Sequence, residues 1–271
     1  MKTAVAKKEI ESALANRFGN VFEQREKQPA EVLPTGVREI DGLLNGFPRG
    51  AITEIHGAAS SGRTSLLLSA LAVATARAES CALVDCNDTF DPLSAANARV
   101  DFDRLLWVRC NNNLECAFKS ADLLLQSGGF GLVALNLSDV VAKSARRIIS
   151  SWWFRFRRAI ENTPTALVVV TPVACIRSSA ALVLELKTED IVWPSTLSLV
   201  LGNDDARLTI KADRGHSTRR LLLVTARTQQ PGMNSTPLSH SHLLQRIRVR
   251  VNRERPLAWP GEPARFNMCL H

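Results

Sequence analysis

The sequence predicts an α/β fold: a mostly parallel sheet flanked by helices, with an N-terminal helical arm and antiparallel C-terminal strands. Three observations predict it. Short continuous apolar runs alternate with helical stretches from residue 51 onward. A glycine-rich turn separates the first run from the first helix. Beyond residue 180 the helical stretches stop while the apolar runs continue. Continuous apolar strands separated by helices imply a parallel sheet covered on both faces. Such sheets bind ligands at the carboxyl ends of their strands.

Each element follows in order. AVAKKEIESALANRFGNVF spaces Ile10, Ala13, Leu14, Phe18 and Val21 near the helical period, which gives an amphipathic arm. EQREKQPAEVLPTG is polar with two prolines, a linker leading into a turn at Pro34–Gly36. AITEIHG (51–57) reads as a strand and TSLLLSALAVATARA (64–78) as the helix after it. CALVDCND (81–88), LLWVRC (105–110), FGLVALNLSDV (130–140) and TALVVVTPV (165–173) read as the next strands. Helices are expected over ECAFKSADLLLQSGG (115–129) and KSARRIISSWWFRFRRAIEN (143–162). ALVLEL (181–186), LSLVL (197–201), ARLTI (206–210) and RLLLVTA (220–226) read as further strands, expected to be antiparallel and to extend the sheet, and QQPGMNSTPLSHS (229–241) as a linker. QRIRVRVNRERP alternates Arg246, Arg248 and Arg250 with Ile247, Val249 and Val251, a strand with one cationic and one apolar face. The expected organisation is an arm and linker over 1–33, a nucleotide-binding core over 34–228, and a basic linker and tail over 229–271.

Composition bounds the function. With 271 residues, 45% of them apolar, the chain can bury one substantial core. No run of 18 uncharged apolar residues exists, and the N-terminal stretch lacks a signal-peptide pattern, so a soluble cytoplasmic protein with no membrane partner is expected. Six cysteines form no C-x-x-C pair and read as buried, reduced thiols. The net charge of +8 sits at one end: residues 205–271 hold 12 Lys+Arg against 4 Asp+Glu, and residues 1–204 hold 22 of each. A basic end on a neutral body suggests an anionic partner such as DNA, with a solubilising tail as the alternative.

The chemistry is concentrated in GAASSGRTS (57–65). Its spacing matches the phosphate-binding loop G-x-x-x-x-G-K-[ST], with Gly57, Gly62, Arg63 and Thr64 in the informative places. Glycines let backbone N–H groups turn inward around phosphate oxygens, and the following helix adds its positive end. A nucleotide-binding segment over Gly57, Ala58, Ser60, Ser61, Gly62, Arg63, Thr64 and Ser65 is therefore expected, with ATP or ADP as ligand. Thr64 would supply a hydroxyl to weakly held Mg2+. Arg63 is expected to start a solvent-facing turn and to clamp phosphate, although its planar fork is no copy of a lysine ammonium.

The stretches TGVREIDGLLNGFPRGAITEIHGAASSGRTSLLLSAL and CALVDCNDTFDPLSAANARVDFDRLL resemble the bacterial RecA recombinase family in motif and spacing through about residue 140. The resemblance implies a RecA-like P-loop core, an arm that packs on a neighbouring protomer in a homo-oligomer, and a role in DNA recombination and repair. It also marks departures. Where the family has its loop lysine, this chain has Arg63. The family's water-activating glutamate falls on Asn87, two residues after Asp85, and its magnesium-orienting aspartate falls on Asn136. The γ-phosphate-sensing glutamine would lie near Thr171–Val173, where there is none. Asn87 can position a water but cannot take its proton. Asn136 removes a charge from the shell of a hard cation that prefers carboxylates. Asp139, past the strand end, is a weak substitute. No catalytic residue is assigned, and Asn87 and Asn136 are degenerate positions.

Two further features carry alternatives. In SSWWFRFRRAIEN, rings interleaved with arginines suit stacking on single-stranded nucleic acid. They equally suit a helix laying Trp153, Phe154 and Phe156 on the sheet while Arg155, Arg157 and Arg158 face water. At the basic end, Arg246, Arg248, Arg250 and Arg253 are candidate DNA or partner contacts, and Arg255 extends the charge. Such crowding is tolerable only in water or against an anion. His240 and His242 lack metal-ligand partners in the sequence. The expected function is an accessory protein of DNA repair or damage-induced (SOS) mutagenesis that binds nucleotide and hydrolyses it weakly or not at all, acting beside an error-prone polymerase or another repair protein. The alternatives are an active ATP-dependent recombinase with a variant loop and a nucleotide-free interaction module.

Overall fold

The computed structural model describes residues 31–192, 246–256 and 263–269. The chain divides into two units, Met1–Glu31 and Val32–His271. The amphipathic arm, the strands expected over 197–226 and the 229–241 linker lie outside the described residues.

A short antiparallel pair, β1 (Val32–Leu33) and β2 (Phe47–Pro48), brackets helix α1 (Arg38–Leu44). Strand β3 (Ala51–Gly57) leads into α2 (Arg63–Ala76), and β4 (Cys81–Asp85) into α3 (Pro92–Asn97). Then follow β5 (Leu105–Arg109), α4 (Leu114–Ser127), β6 (Leu132–Asn136), α5 (Ala142–Ala145), α6 (Ser150–Ile160) and β7 (Ala166–Thr171). Strand β8 (Leu182–Val192), β9 (Arg246–Arg255) and β10 (Ala264–Cys269) complete one eight-stranded sheet in the order β10-β9-β8-β3-β7-β6-β4-β5. Every pairing from β8 to β5 is parallel, so the strand over 181–186, expected antiparallel, instead runs parallel to β3; in this sheet only β9 and β10 pair antiparallel. This is the mostly parallel, helix-flanked α/β fold expected from the sequence, with antiparallel strands at its C-terminal edge.

The strands alternate between two apolar layers. Ile55, Leu132, Ala134, Val168 and Val170 join Leu66, Leu67 and Leu71 of α2 on one face. Ile52, Val133, Leu135, Leu167 and Val169 join Phe118 and Ala121 of α4 and Trp153 and Phe156 of α6 on the other. With both faces covered, the sheet has little need of polar side chains, and β4, β6 and β7 are buried throughout. The basic strand β9 belongs to the same sheet, and Ile247, Val249 and Val251 lie in the same apolar layer as Leu66, Leu67 and Leu71.

One expected helix is two. The stretch over 143–162 breaks at Ile149, whose backbone is extended (φ −68°, ψ 128°). Two β-branched isoleucines followed by two serines have weak helix preference, and the second helix restarts on the serines. Among the described residues, no helix is long and apolar enough to cross a membrane.

Candidate nucleotide site

The site forms where β3 ends and α2 begins. Strand β3 is central, with Ile52–His56 buried, so its last residue is fixed from both sides. The loop then turns through left-handed backbone at Ser60 (φ 59°) and Gly62 (φ 89°). Gly57 has no room for a side chain: a Cβ there would collide with the Leu186 carbonyl oxygen and stand 2.8 Å from Ser61 Oγ. Strand β8 braces the loop further, since Thr188 Oγ1 donates to the Ser60 carbonyl at 2.9 Å. Helix α2 has no side-chain cap, so its first N–H groups and its positive end face the loop without a protein acceptor side chain. Ser61 Oγ is buried and has no hydrogen-bond partner among the described residues. A curled loop, an uncapped fourteen-residue helix and an orphaned buried hydroxyl fit an anionic ligand such as a phosphate chain. Thr64 is exposed at the start of the helix, and Ser65 is half-buried.

Arg63 corrects the expectation of a solvent-facing turn. Its side chain is only 6% exposed. Nη1 donates to the Thr171 carbonyl at the end of β7 (2.6 Å) and, at 3.4 Å, to the Ser138 carbonyl beyond β6. Burial pulls its pKa below the ordinary arginine value, and the Asp139 charge opposes that pull. Among the described residues, no carboxylate lies within ion-pair distance of Arg63. The first residue of α2 therefore points along the carboxyl edge of the sheet, because that row of strand-end carbonyls is the nearest acceptor surface for a cation withdrawn from water.

Beside it, Asp85 and Asn136 end neighbouring strands in register. Asp85 is fully buried: Oδ2 accepts from Phe90 N at 2.8 Å, and Oδ1 accepts from Asn136 Nδ2 at 3.2 Å. Asn136 Nδ2 also donates to Thr89 Oγ1, and its Oδ1 accepts from Ser138 N, each at 3.2 Å. Both side chains are thus committed to holding the 86–90 and 137–138 turns. Asn87 Nδ2 donates to Asn112 Oδ1 (2.9 Å), while its own Oδ1 is buried without a partner. Asp139 is exposed. Arg63 touches the turn after Asn136, whereas Asn87 lies with Asn112, toward β5.

Sequence reasoning missed two supports of this site. Glu54 of β3 is fully buried, and its Oε1 accepts from Thr171 Oγ1 (3.2 Å) and Cys175 N (2.7 Å), tying β3 to the turn after β7. His56 Nε2 stands 2.9 Å from Glu254 Oε2 of β9, joining the strand before the loop to the basic strand. Neither pair has a local pattern; only the alternation of β3 and the adjacency of β8 and β9 bring them together.

The aromatic helix α6 buries Trp153, Phe156 and Ile160, and Phe118 of α4 packs on Trp152, Trp153 and Phe156. Phe154, expected on the sheet, is 55% exposed, and half-buried Trp152 takes the place beside the core. Residues 153, 156 and 160 share one helical face, and 154 falls outside it. Arg155 is bound in two places by Asp122 (Nε–Oδ1 2.6 Å, Nη2–Oδ2 2.5 Å), and those bonds raise its pKa.

On β9, Arg248 is exposed. Arg250 is half-buried, donates to Asn252 Oδ1 at 3.1 Å and lies 3.8 Å from Glu189 Oε1. Arg265 of β10 binds the same Glu189 at 3.1 Å. A carboxylate shared at the surface relieves part of the crowding of cations. Arg253 and Arg255 are half-buried, and Arg246 pairs its backbone with Val192 and Cys269.

Comparison with known proteins gives the lineage. The model of the RecA N-terminal domain matches residues 2–148. Protein RecA of Streptomyces ambofaciens is 38% identical over 114 residues, covering 41% of this chain and 30% of that protein. Protein RecA of Clavibacter michiganensis subsp. michiganensis is 38% identical over 143 residues, covering 49% and 39%. Protein RecA of Leifsonia xyli subsp. xyli is 40% identical over 113 residues, covering 41% and 31%. The chain thus spans between three and four tenths of the length of these relatives. The matched stretch holds the loop, the Asp85 and Asn136 strand ends and the α2 helix described above, and the chain belongs to the RecA family.

Proposed function

We propose that this RecA-family protein acts in DNA recombination and repair as an accessory factor that binds ATP or ADP at residues 57–65 and hydrolyses it weakly or not at all. The observation that carries the reading is a buried Arg63 cation with only carbonyl oxygens for partners, beside strand ends that offer no free carboxylate. A desolvated cation that no carboxylate reaches within ion-pair distance among the described residues, with only the exposed Asp139 charge acting on it from further off, favours an anion in the same crevice. In this reading the loop amides, Ser61 and Arg63 hold phosphate. Thr64 and Ser65 face the same helix end, and Asn87 at most orients a water. Nothing at Asn87 or Asn136 can accept a proton from that water.

The protein would then use nucleotide as a ligand that sets its state, and would meet other repair components, such as an error-prone polymerase or a second copy of itself, through protein contacts. Titration calorimetry with ATP and ADP, beside a turnover assay with and without single-stranded DNA, tests this. Binding without turnover is expected. Turnover at about 1 per second or faster, within the ordinary enzyme range, would identify an active recombinase. Absence of heat and of any thermal shift at saturating nucleotide would identify a nucleotide-free interaction module.

A further inference from the structure

Magnesium, which the family resemblance implies, does not fit the carboxyl edge of this sheet. The metal prefers anionic oxygen in near-octahedral geometry. Each Asp85 oxygen already accepts a hydrogen bond, from Phe90 N and from Asn136 Nδ2. Asn136 turns its amide nitrogen toward that carboxylate and its oxygen toward Ser138 N, so the last residue of β6 presents no anionic oxygen; the nearest carboxylate beyond it, Asp139, is exposed, and its Oδ2 accepts from Ser138 Oγ at 3.3 Å. Among the described residues, no group of three or more His, Cys, Asp or Glu side chains is placed to hold a metal ion.

What the edge does hold is a fixed organic cation. Arg63 spans from the first turn of α2 to the ends of β6 and β7, anchored through Nη1 on Thr171 O and Ser138 O. A guanidinium has five N–H donors. Only Nη1 is engaged here, and the three donors on Nε and Nη2 bond to nothing among the described residues. A planar fork with donors to spare suits two phosphate oxygens at once, in a way that a lysine ammonium does not.

We propose that Arg63 takes over the neutralising role of magnesium, so that this site binds a nucleoside di- or triphosphate without a divalent cation. This rests on the nucleotide-binding reading above and goes further, because it fixes the form of the ligand: the metal-free polyphosphate. Magnesium would then compete for the same phosphate oxygens instead of helping. The arrangement also accounts for an amide, Asn136, at the family's magnesium-orienting position. Where no metal is held, a second negative charge beside Asp85 would only repel the phosphates.

The test is calorimetry of the full chain with ATP and with ADP, once with excess EDTA and once with excess magnesium chloride. Equal or tighter binding in EDTA is expected. Binding at least about tenfold tighter with magnesium overturns the proposal and leaves the nucleotide reading standing. No binding in either condition overturns both. A second comparison uses Arg63→Lys, with its fold checked by circular dichroism. The lysine variant should lose at least about tenfold in EDTA, because a point charge cannot bridge two oxygens. Adding Asn136→Asp to it should return a dependence on magnesium. If wild type and Arg63→Lys bind alike in EDTA, the guanidinium is not the substitute cation. Should the lysine variant fail to fold, the wild-type comparison decides alone.

Discussion

Arg63 is the residue on which the site turns, and its two bonds make opposite demands on a substitution. Removing the charge relieves the cost of keeping a cation out of water, but it also leaves the Thr171 carbonyl without its donor. These effects oppose each other. Arg63→Met should therefore change the melting temperature without nucleotide by only a few degrees. Its effect on the ligand is one-sided. A charged hydrogen bond contributes about 2–3 kcal/mol, so affinity for ADP should fall roughly 30- to 150-fold and the stabilisation by a fixed ADP concentration should shrink accordingly. A thermal-shift series with and without ADP measures both quantities. An unchanged ADP shift in the variant would remove Arg63 from the phosphate site. The place of Arg63 was legible in the sequence from the spacing of the loop, and those of Asn87 and Asn136 from the resemblance to the RecA family. The direction of the Arg63 side chain was not, since the spacing of a loop carries no information on whether its cation faces water or strand-end carbonyls.

At the scale of elements, α6 separates packing from exposed aromatic surface within three residues. Phe156 is fully buried and stacks on Phe118 at 5.6 Å between ring centres, whereas Phe154 is 55% exposed. Phe156→Ala should cost about 3–5 kcal/mol, and Phe154→Ala within about 0.5 kcal/mol. Urea unfolding reads both. If Phe154→Ala weakens binding of single-stranded DNA without moving the urea midpoint, the exposed ring stacks on bases. If DNA binding is untouched, the aromatic run serves packing alone. The strands were legible almost to their ends, because β4, β6 and β7 are near-continuous apolar runs that admit few alternatives once helices separate them, and β3 is marked by the glycine loop that follows it. The break at Ile149 was less so, since Ala145, Ile149, Trp153 and Phe156 keep a helical spacing across it. Least legible were the ties across the sheet. Ser60 and Thr188 are 128 residues apart, and His56 and Glu254 are 198 apart. Those pairs depend on the order of strands, which no local period encodes.

For the whole molecule, buried thiols and the basic edge set responses to pH and to salt. Burial pushes the thiol of Cys86 up to about 11 and those of Cys81 and Cys110 up to about 12. In the unfolded chain they ionise near the ordinary value of about 8.5–9, so above that pH the unfolded state has released protons that the folded state keeps. Stability therefore falls as pH rises from about 9, by up to ~1.4 kcal/mol per thiol per pH unit, until the folded thiols themselves ionise. The chain has no tyrosine, so phenol ionisation does not overlay this limb. Urea midpoints at pH 8 and 10 should differ less in Cys81→Ala than in wild type, and an equal difference would place the alkaline sensitivity elsewhere. The basic edge calls for point substitutions, because removing residues 241–271 would strip β9 and β10 from the sheet together with the buried Ile247, Val249, Val251 and Phe266. Arg248 is exposed and can be removed cleanly, whereas Glu189 is shared by Arg250 and Arg265 and damps their charge. If DNA lies on this face, Arg248→Ala should weaken binding equally for every DNA sequence and lower the log–log salt slope by about 0.9, one phosphate contact. Glu189→Gln should act in the opposite sense, tightening binding at low salt and steepening the slope, since two arginines lose their competitor. Both can be read by fluorescence anisotropy across a salt series. A face that docks another protein predicts a different pair of results: loss of that partner in pull-down, with DNA affinity and salt slope the same in both variants. Unchanged affinity and slope in Arg248→Ala and Glu189→Gln together would reject DNA as the ligand of β9.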